Sequence, residues 1–323
     1  MEGPTTRALT PWFMSLPALV RQKELLAARK LVWRGGLLLV RVDRSPGRIM
    51  VLCRELWSSV QDQVFLQSPR YETVGLPLAS ADVFYARQVR ESFLAAVAGA
   101  DEWVGRSPVG GSSRPQCYWT VKQKSLISSV AHPVVKLRPI VTHCLHPLRI
   151  TLKRVARALA VLVSEARELV LQQRPQHLPM WQLHSGSSEW LERLGPTMGW
   201  WGCEEYDVAD CFLNTPREAV MDAVGFWLLT TASCSRRQPC FAISKDGKKG
   251  DHRGRPSSIH YWAITDAQLR AACAWDLLHN DLFEAQAGAD FVVLQQRRGL
   301  PIGGHLSAAY VELVALNCEL QCD

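Results

Sequence analysis

Tyr206-Asp207-Val208-Ala209-Asp210-Cys211-Phe212-Leu213-Asn214-Thr215-Pro216 is the stretch on which the reading of this chain turns. It sets Asp207 at the end of an apolar-flanked candidate strand, with the Phe212 ring five positions later. A carboxylate on a rigid strand can hold a divalent cation. Phosphodiester formation uses such a cation to offset charge on the attacking hydroxyl and on the leaving pyrophosphate. The ring can then test the sugar of an incoming nucleotide. Taken singly, a strand-end Asp is a turn or cap residue and a Phe is a core residue. The combination is what points to nucleotidyl transfer.

Downstream, Arg298-Gly299-Leu300-Pro301-Ile302-Gly303-Gly304-His305-Leu306-Ser307 is a glycine-rich loop. Its glycines let backbone approach a neighbour, such as a base pair, closely. Leu306, Ala309, Leu313, Leu316 and Leu320 mark one face of a following helix. Upstream, residues 36–43 and 49–52 are apolar runs around Arg44-Ser45-Pro46-Gly47, a hairpin signature. Residues 10–32 read as a short amphipathic helix interrupted by Pro17, residues 78–100 as a helix, and residues 105–115 as a loop.

The clearest period runs over 147–171, where Leu148, Leu152, Val155, Leu159, Leu162, Ala166 and Leu169 form one helical face. Arg149, Lys153, Arg154, Arg157 and Arg167 lie off that seam, as a solvated face or a phosphate-facing stripe. Residues 172–182 form a polar connector. Residues 229–258 read as a basic, Gly-rich insertion, a solvated mobile loop or one that tracks nucleic acid. Thr265-Asp266-Ala267-Gln268 is a capping box opening a helix to about Phe283.

The bulk numbers fit these elements. Hydrophobic residues at 47% and charged residues at 21% of 323 are ordinary for globular protein. A net charge of +7 and a pI near 9.0 suit a polyanionic partner. Twelve tryptophans allow large buried contacts and stacking surfaces. The ten cysteines include no CxxC pair and no zinc-site spacing, so they read as reduced thiols. The first twenty residues lack the basic-then-apolar order of a signal peptide, and no apolar run reaches the ~18–20 residues of a membrane span. The expectation is an intracellular chain without membrane association, with the nucleus among the compartments open to it.

Asp207-Val208-x-x-x-Phe212-x-Asn214-x-Pro216-x-Glu218 resembles motif A of Penelope-like reverse transcriptases, a telomerase-related group with Asp-Val-x-Ser-Leu-Tyr-Thr-Asn-Ile-Pro-x-Glu. Phe212 stands for the tyrosine, and Asp210 stands where serine is common, so Asp210 is not taken as a ligand. Gln296, Gly299, Ile302, Gly303, Ser307 and Glu319 match the group's motif B, with Ile302 for methionine. Val42-Asp43-Arg44 with Gly47 and Ile49 resembles its fingers segment Ala-Asp-Lys-Gly-x-x-x-Val, with a different loop. Tyr118 to Lys124 is similar, more loosely, to Tyr-Gly-Leu-Pro-Lys-Ile-His-Lys, and Arg138-Pro139-Ile140-Val141 to Arg-Pro-Ile-Val. The resemblance covers residues 38–323 apart from the insertion.

The resemblance implies an α/β fold: right-hand polymerase fingers and a partial palm, with the thumb and the aspartate-bearing motif C hairpin absent before Asp323. It implies an N-terminal helical extension over 1–35, a fingers-like region over 36–175, and a partial palm over 176–323. The activity would be RNA-directed DNA polymerisation in a retroelement parent, using Mg²⁺ or Mn²⁺, an RNA template, a DNA primer and dNTPs. This chain alone would be inactive. Asp207 would be the catalytic metal ligand and Phe212 the sugar gate, while Arg138, Lys122, Lys124 and Arg44 would grip the triphosphate. Gly299, Pro301, Gly303, Gly304 and Ser307 would contact template and primer. The alternative is a non-catalytic relic that binds nucleic acid. An RNA-templated RNA polymerase is disfavoured by the bulk of Phe212.

Overall fold

The apolar runs of the amino-terminal half pair as their sequence predicts. Strand β2 (Leu37–Arg41) and strand β3 (Arg48–Cys53) form an antiparallel hairpin, with Leu37 opposite Cys53 and Arg41 opposite Ile49. The computed structural model describes residues 14–15, 27, 30–32, 34–43, 48–76, 83–104, 114–122, 135–173, 210–235, 239–246, 251–256, 258–287 and 290–321. The loop expected over 105–115 and the connector over 172–182 fall almost wholly outside these residues. Within the expected first helix, Met14–Ser15 is instead a short strand, β1, that pairs with Ile49 and Arg48 at the hairpin's edge. Extended backbone there satisfies an otherwise open ladder edge.

A five-stranded mixed sheet follows, in the order β4-β11-β10-β5-β6. Its strands are β4 (Tyr71–Val74), β5 (Gln116–Val121), β6 (Leu137–Thr142), β10 (Leu282–Ala287) and β11 (Asp290–Gln296). The hairpin β10–β11 returns from far along the chain and inserts between β4 and β5, meeting β5 in parallel at Glu284 and Gln116. Helix α1 (Arg54–Phe65) covers one face, capped by Cys53, whose Sγ accepts from Leu56 N at 3.4 Å. Phe65, Trp119 and Phe283 meet beneath it in tilted ring contacts. Each such ring, once buried, contributes about 1.5–3 kcal/mol.

The second core is helical. Helix α3 (Arg149–Gln173) buries the predicted seam, with Leu152, Val155, Leu159, Leu162 and Ala166 fully enclosed. Around it pack α2 (Val83–Ala96), α5 (Arg217–Ser235), α6 (Asp266–His279) and α7 (Ser307–Gln321). A four-residue helix, α4 (Cys211–Asn214), leads into α5. The capping box at α6 is present, with Thr265 Oγ1 accepting from Gln268 N and Gln268 Oε1 from Thr265 N. The helix stops at His279 and Phe283 belongs to β10. Asn280 and Asp281 break it, Asn280 Nδ2 donating to Asp276 and Gln295 Nε2 to Asp281.

Residues 229–258 correct the reading of a solvated loop. Helix α5 continues to Ser235, and β7 (Cys240–Ser244) is wholly buried as the centre of a sheet with β8 (His252–Arg253) and β9 (Tyr261–Thr265). Phe241 and Ile243 face the helical core. Arg253 has no exposed side-chain surface and pairs with Glu165 at 3.4 Å and Asp266 at 2.5 Å. A basic residue in this segment is thus core structure, because two carboxylates compensate its burial.

Candidate functional site

The hairpin joins the five-stranded sheet through a parallel bridge between Val42 and Val121 and a bond from Asp43 N to Val121 O of 2.8 Å. That junction sets three cations against two carboxylates. Arg138, opposite Thr120 in the ladder, meets Asp43 at 2.5 Å. Lys122, one residue past β5, meets Asp210 at 3.0 Å, and Arg70 lies 3.7 Å from the same carboxylate. Arg70 also donates to Asn214 Oδ1 at 2.9 Å. The Lys122 hydrogen bond, reinforced by the charges of Arg70 and Lys136, holds the Asp210 carboxyl below its usual range.

Asp210 begins the short helix α4 with φ of 48°, in the left-handed region. No other non-glycine among the described residues does so. Such a conformation costs an ordinary L-residue about 1–2 kcal/mol, less for Asp, whose short polar chain tolerates it. The turn is held by its neighbours: Asn214 N donates to Asp210 O at 3.0 Å and Leu300 N to Phe212 O at 2.8 Å.

The loop 297–307 is docked through its glycines. A Cβ on Gly299 (φ 72°) would lie 2.4 Å from Leu213 O, and one on Gly303 (φ 101°) 2.6 Å from Val141 O. Val141 N donates to Ile302 O at 2.8 Å, and Ser307 Oγ to Pro301 O at 2.8 Å. A Cβ on Gly304 would crowd Ser307 Oγ at 2.6 Å. Arg217 fastens the loop from beneath, donating to Gly299 O, Leu277 O and Gln296 O. The close approaches that the glycines permit are therefore to α4 and β6 of this same chain.

Three imidazoles gather at the loop's far side. His143 lies between His146 and His305, with ring centroids 5.7 and 5.8 Å away. Burial, with help from His305, lowers the His143 pKa to about 4, and burial also lowers those of His146 and His305. His146 Nδ1 accepts from Leu148 N at 3.1 Å at the start of α3.

Of the residues singled out from sequence, Arg138, Lys122, Phe212 and the loop Gly299, Pro301, Gly303, Gly304 and Ser307 come together here. Phe212 is half-buried and packs on the helical core. Asp207, Lys124 and Arg44 lie outside the described residues. Among the described residues no group of three or more His, Cys, Asp or Glu side chains could hold a metal ion. The described carboxylates at this junction, Asp43 and Asp210, each face a cation, so they supply no ligand set and the metal reading rests on Asp207. Arg70 was missed in the sequence; it follows Ser68-Pro69 in a turn, and nothing in its pattern sets it apart from a surface arginine. No described helix is long and apolar enough to cross a membrane.

No protein-family model matches the chain, and no curated protein matches it. Among solved structures it is similar to the apo telomerase of Candida tropicalis, with a TM-score of 0.44 and 9% identity over 90% of this chain and 43% of that one. It is similar also to the telomerase of Candida albicans, solved in complex with a TWJ fragment of telomeric RNA, with a TM-score of 0.44 and 10% identity over 92% of this chain and 43% of that one. The chain thus spans less than half the length of either telomerase.

Proposed function

We propose that this chain is a reverse-transcriptase-type nucleotidyltransferase domain of the Penelope-like kind, one that takes an RNA template, a DNA primer and dNTPs. The observation that carries the reading is convergence. Segments around residues 43, 122, 138, 212 and 300, scattered along the sequence, meet at one junction through direct bonds. They are the segments whose letters resemble the polymerase motifs. Arg138 offers a triphosphate planar, bidentate donors, and Lys122 a point charge. Phe212 lies in α4, two residues past the Asp210 that pairs with Lys122, and its ring would sit under a sugar. The loop 299–307 would stand next to the templating pair. A divalent cation at Asp207, Mg²⁺ or Mn²⁺, would supply Lewis-acid chemistry.

A second reading is a non-catalytic protein that holds nucleic acid on this fold. It is favoured by the ion pairs of Arg138 with Asp43 and Lys122 with Asp210, which leave both cations matched without a ligand. Titration of the chain with fluorescent dNTP and rNTP in Mg²⁺ separates the two. The polymerase reading expects dNTP binding that Arg138→Ala weakens about tenfold or more, with Phe212→Ala narrowing the preference for dNTP over rNTP. Binding of oligonucleotides without any binding of triphosphates would leave the holding role alone.

A further inference from the structure

We propose that Asp210 and a bound polyphosphate compete for one cation, the Lys122 ammonium, so that the Asp210 carboxylate sets how tightly this site holds a triphosphate. The inference rests on the reading above in which Lys122 grips a triphosphate. It deepens that reading by adding a residue that the reading leaves out.

Backbone geometry places Asp210 before Lys122. Its φ of 48° makes it the one non-glycine among the described residues in the left-handed region. From that turn its carboxylate reaches two cations at once. Oδ1 accepts from Lys122 Nζ at 3.0 Å, and Oδ2 lies 3.7 Å from Arg70 Nη1. The three residues come from separate parts of the chain, so no local constraint of sequence forces the contact.

A carboxylate and a phosphate offer an ammonium the same charge-assisted hydrogen bond. An ammonium has three donors. A carboxylate and a phosphate brought to one ammonium nevertheless repel each other, so each weakens the other's hold. Lys136 is close enough for its charge to help keep the Asp210 carboxyl below its usual range. With it, the cations Arg70, Lys122, Lys136 and Arg138 outnumber the carboxylates Asp43 and Asp210, a surplus that suits a polyanion.

Exposure decides which pair exchanges. The side chains of Lys122 and Asp210 are 32% and 37% exposed, against 23% and 14% for Arg138 and Asp43. Water screens the first pair more, which makes it the weaker one. Lys122 also carries its charge on a flexible four-carbon stem. Its backbone stays fixed meanwhile, since Lys122 N donates to Lys136 O at 2.9 Å.

Asp210 need not move when Lys122 turns to a phosphate. Arg70 Nη2 donates to Asn214 Oδ1 at 2.9 Å, so one guanidinium spans both ends of α4. Arg70 is itself pinned. Its N donates to Ser68 Oγ at 3.3 Å, and its O accepts from Arg297 N at 2.7 Å. The turn that carries Phe212 is thus held by Arg70 whichever anion Lys122 serves.

The test titrates the full chain with inorganic tripolyphosphate by calorimetry, without divalent cation, so that a metal at Asp207 plays no part. Asp210→Asn is expected to tighten binding about twofold to fivefold, the range for release from an exposed ion pair. Asp210→Gly, which also suits a left-handed backbone, is expected to do the same, and a melting curve checks that each variant is folded. Lys122→Ala is expected to bind more weakly, and adding Asp210→Asn to it should bring no gain, because the contested cation has gone. Glu72→Gln removes an exposed carboxylate of the same sheet that faces Arg297 instead, and is expected to leave the affinity unchanged. Wild-type affinity in the Asp210 variants, a gain that persists without Lys122, an equal gain in Glu72→Gln, or no tripolyphosphate binding by any of these proteins would each overturn the proposal. Fluorescent dNTP and rNTP binding in Mg²⁺ is scored separately on the same samples. If tripolyphosphate behaves as expected while dNTP is not preferred over rNTP, the polymerase reading falls and the competition at Lys122 stands. If dNTP is preferred and depends on Arg138 while the Asp210 variants match wild type, this inference falls and the polymerase reading stands.

Discussion

Gly299→Ala separates two reasons for a glycine that are usually confounded. Its φ of 72° alone costs an alanine about 1–2 kcal/mol. The added Cβ would also lie 2.4, 2.6 and 2.7 Å from the O, C and Cα of Leu213. All three are backbone atoms of α4, so no side-chain rotation relieves the contact. The loop must move off α4, at about 1–3 kcal/mol for overpacking and about 1 kcal/mol for the bond from Leu300 N to Phe212 O. The sum is about 3–6 kcal/mol. Gly36 supplies the control: its φ is 71°, and a Cβ there meets nothing within 4 Å. Gly36→Ala should therefore lose only the conformational part, about 1–2 kcal/mol. Equilibrium unfolding in urea, with midpoints compared at constant slope, measures both. Equal losses at the two positions would refute the claim that close approach to α4, rather than dihedral freedom, makes Gly299 necessary.

Other outcomes follow from buried charge. His143, with its pKa lowered to about 4 in the fold against 6.5 unfolded, gives stability that is intact above pH 6.5 and is lost as pH falls toward 4, about 3 kcal/mol in all; melting curves across that window should flatten in His143→Gln. Asp276 has the opposite sign, since burial raises its pKa to about 6 against 3.8 and makes its ionisation unfavourable to the fold as pH rises through that interval. Asp276→Asn, which keeps an acceptor for Asn280, should match or exceed wild type by about 1–3 kcal/mol at pH 7.5 in urea unfolding, and a large loss would show that the charge is needed. Arg253→Met removes a buried cation from between Glu165 and Asp266 and should cost about 3–5 kcal/mol, whereas Arg253→Met with Asp266→Asn should recover part of it.

What the sequence revealed tracks how local each cause is. The α3 seam and the hairpin 37–53 are written in neighbouring residues, and the capping box needs only Thr265 and Gln268, so all of these were readable. Strand β7 was not, because four apolar residues and a serine between basic clusters read as part of a polar loop until Arg253 is seen to have two carboxylates of its own. The return of β10–β11 into the sheet between β4 and β5 is a long-range pairing that no local pattern encodes.

The junction shows the same limit at the scale of single atoms. Arg138, Lys122 and Gly299 stood out by residue type and order, since guanidinium, ammonium and a missing Cβ each announce a chemistry. The groups around them stood out less: Asp43 entered only as a letter of the Val42-Asp43-Arg44 match, Arg70, which shares Asp210 with Lys122, is a commonplace letter, and the turn at Asp210 takes a left-handed backbone that the letter Asp permits but does not demand. The glycines carry the point furthest. Their presence in the sequence requires that some backbone pass close by, and a templating base pair was the partner expected. In the folded chain the backbones that press on Gly299 and Gly303 belong to Leu213 and Val141. The loop is therefore first a joint between α4 and β6. Any ligand that it meets would be met on a surface which those two contacts have already positioned.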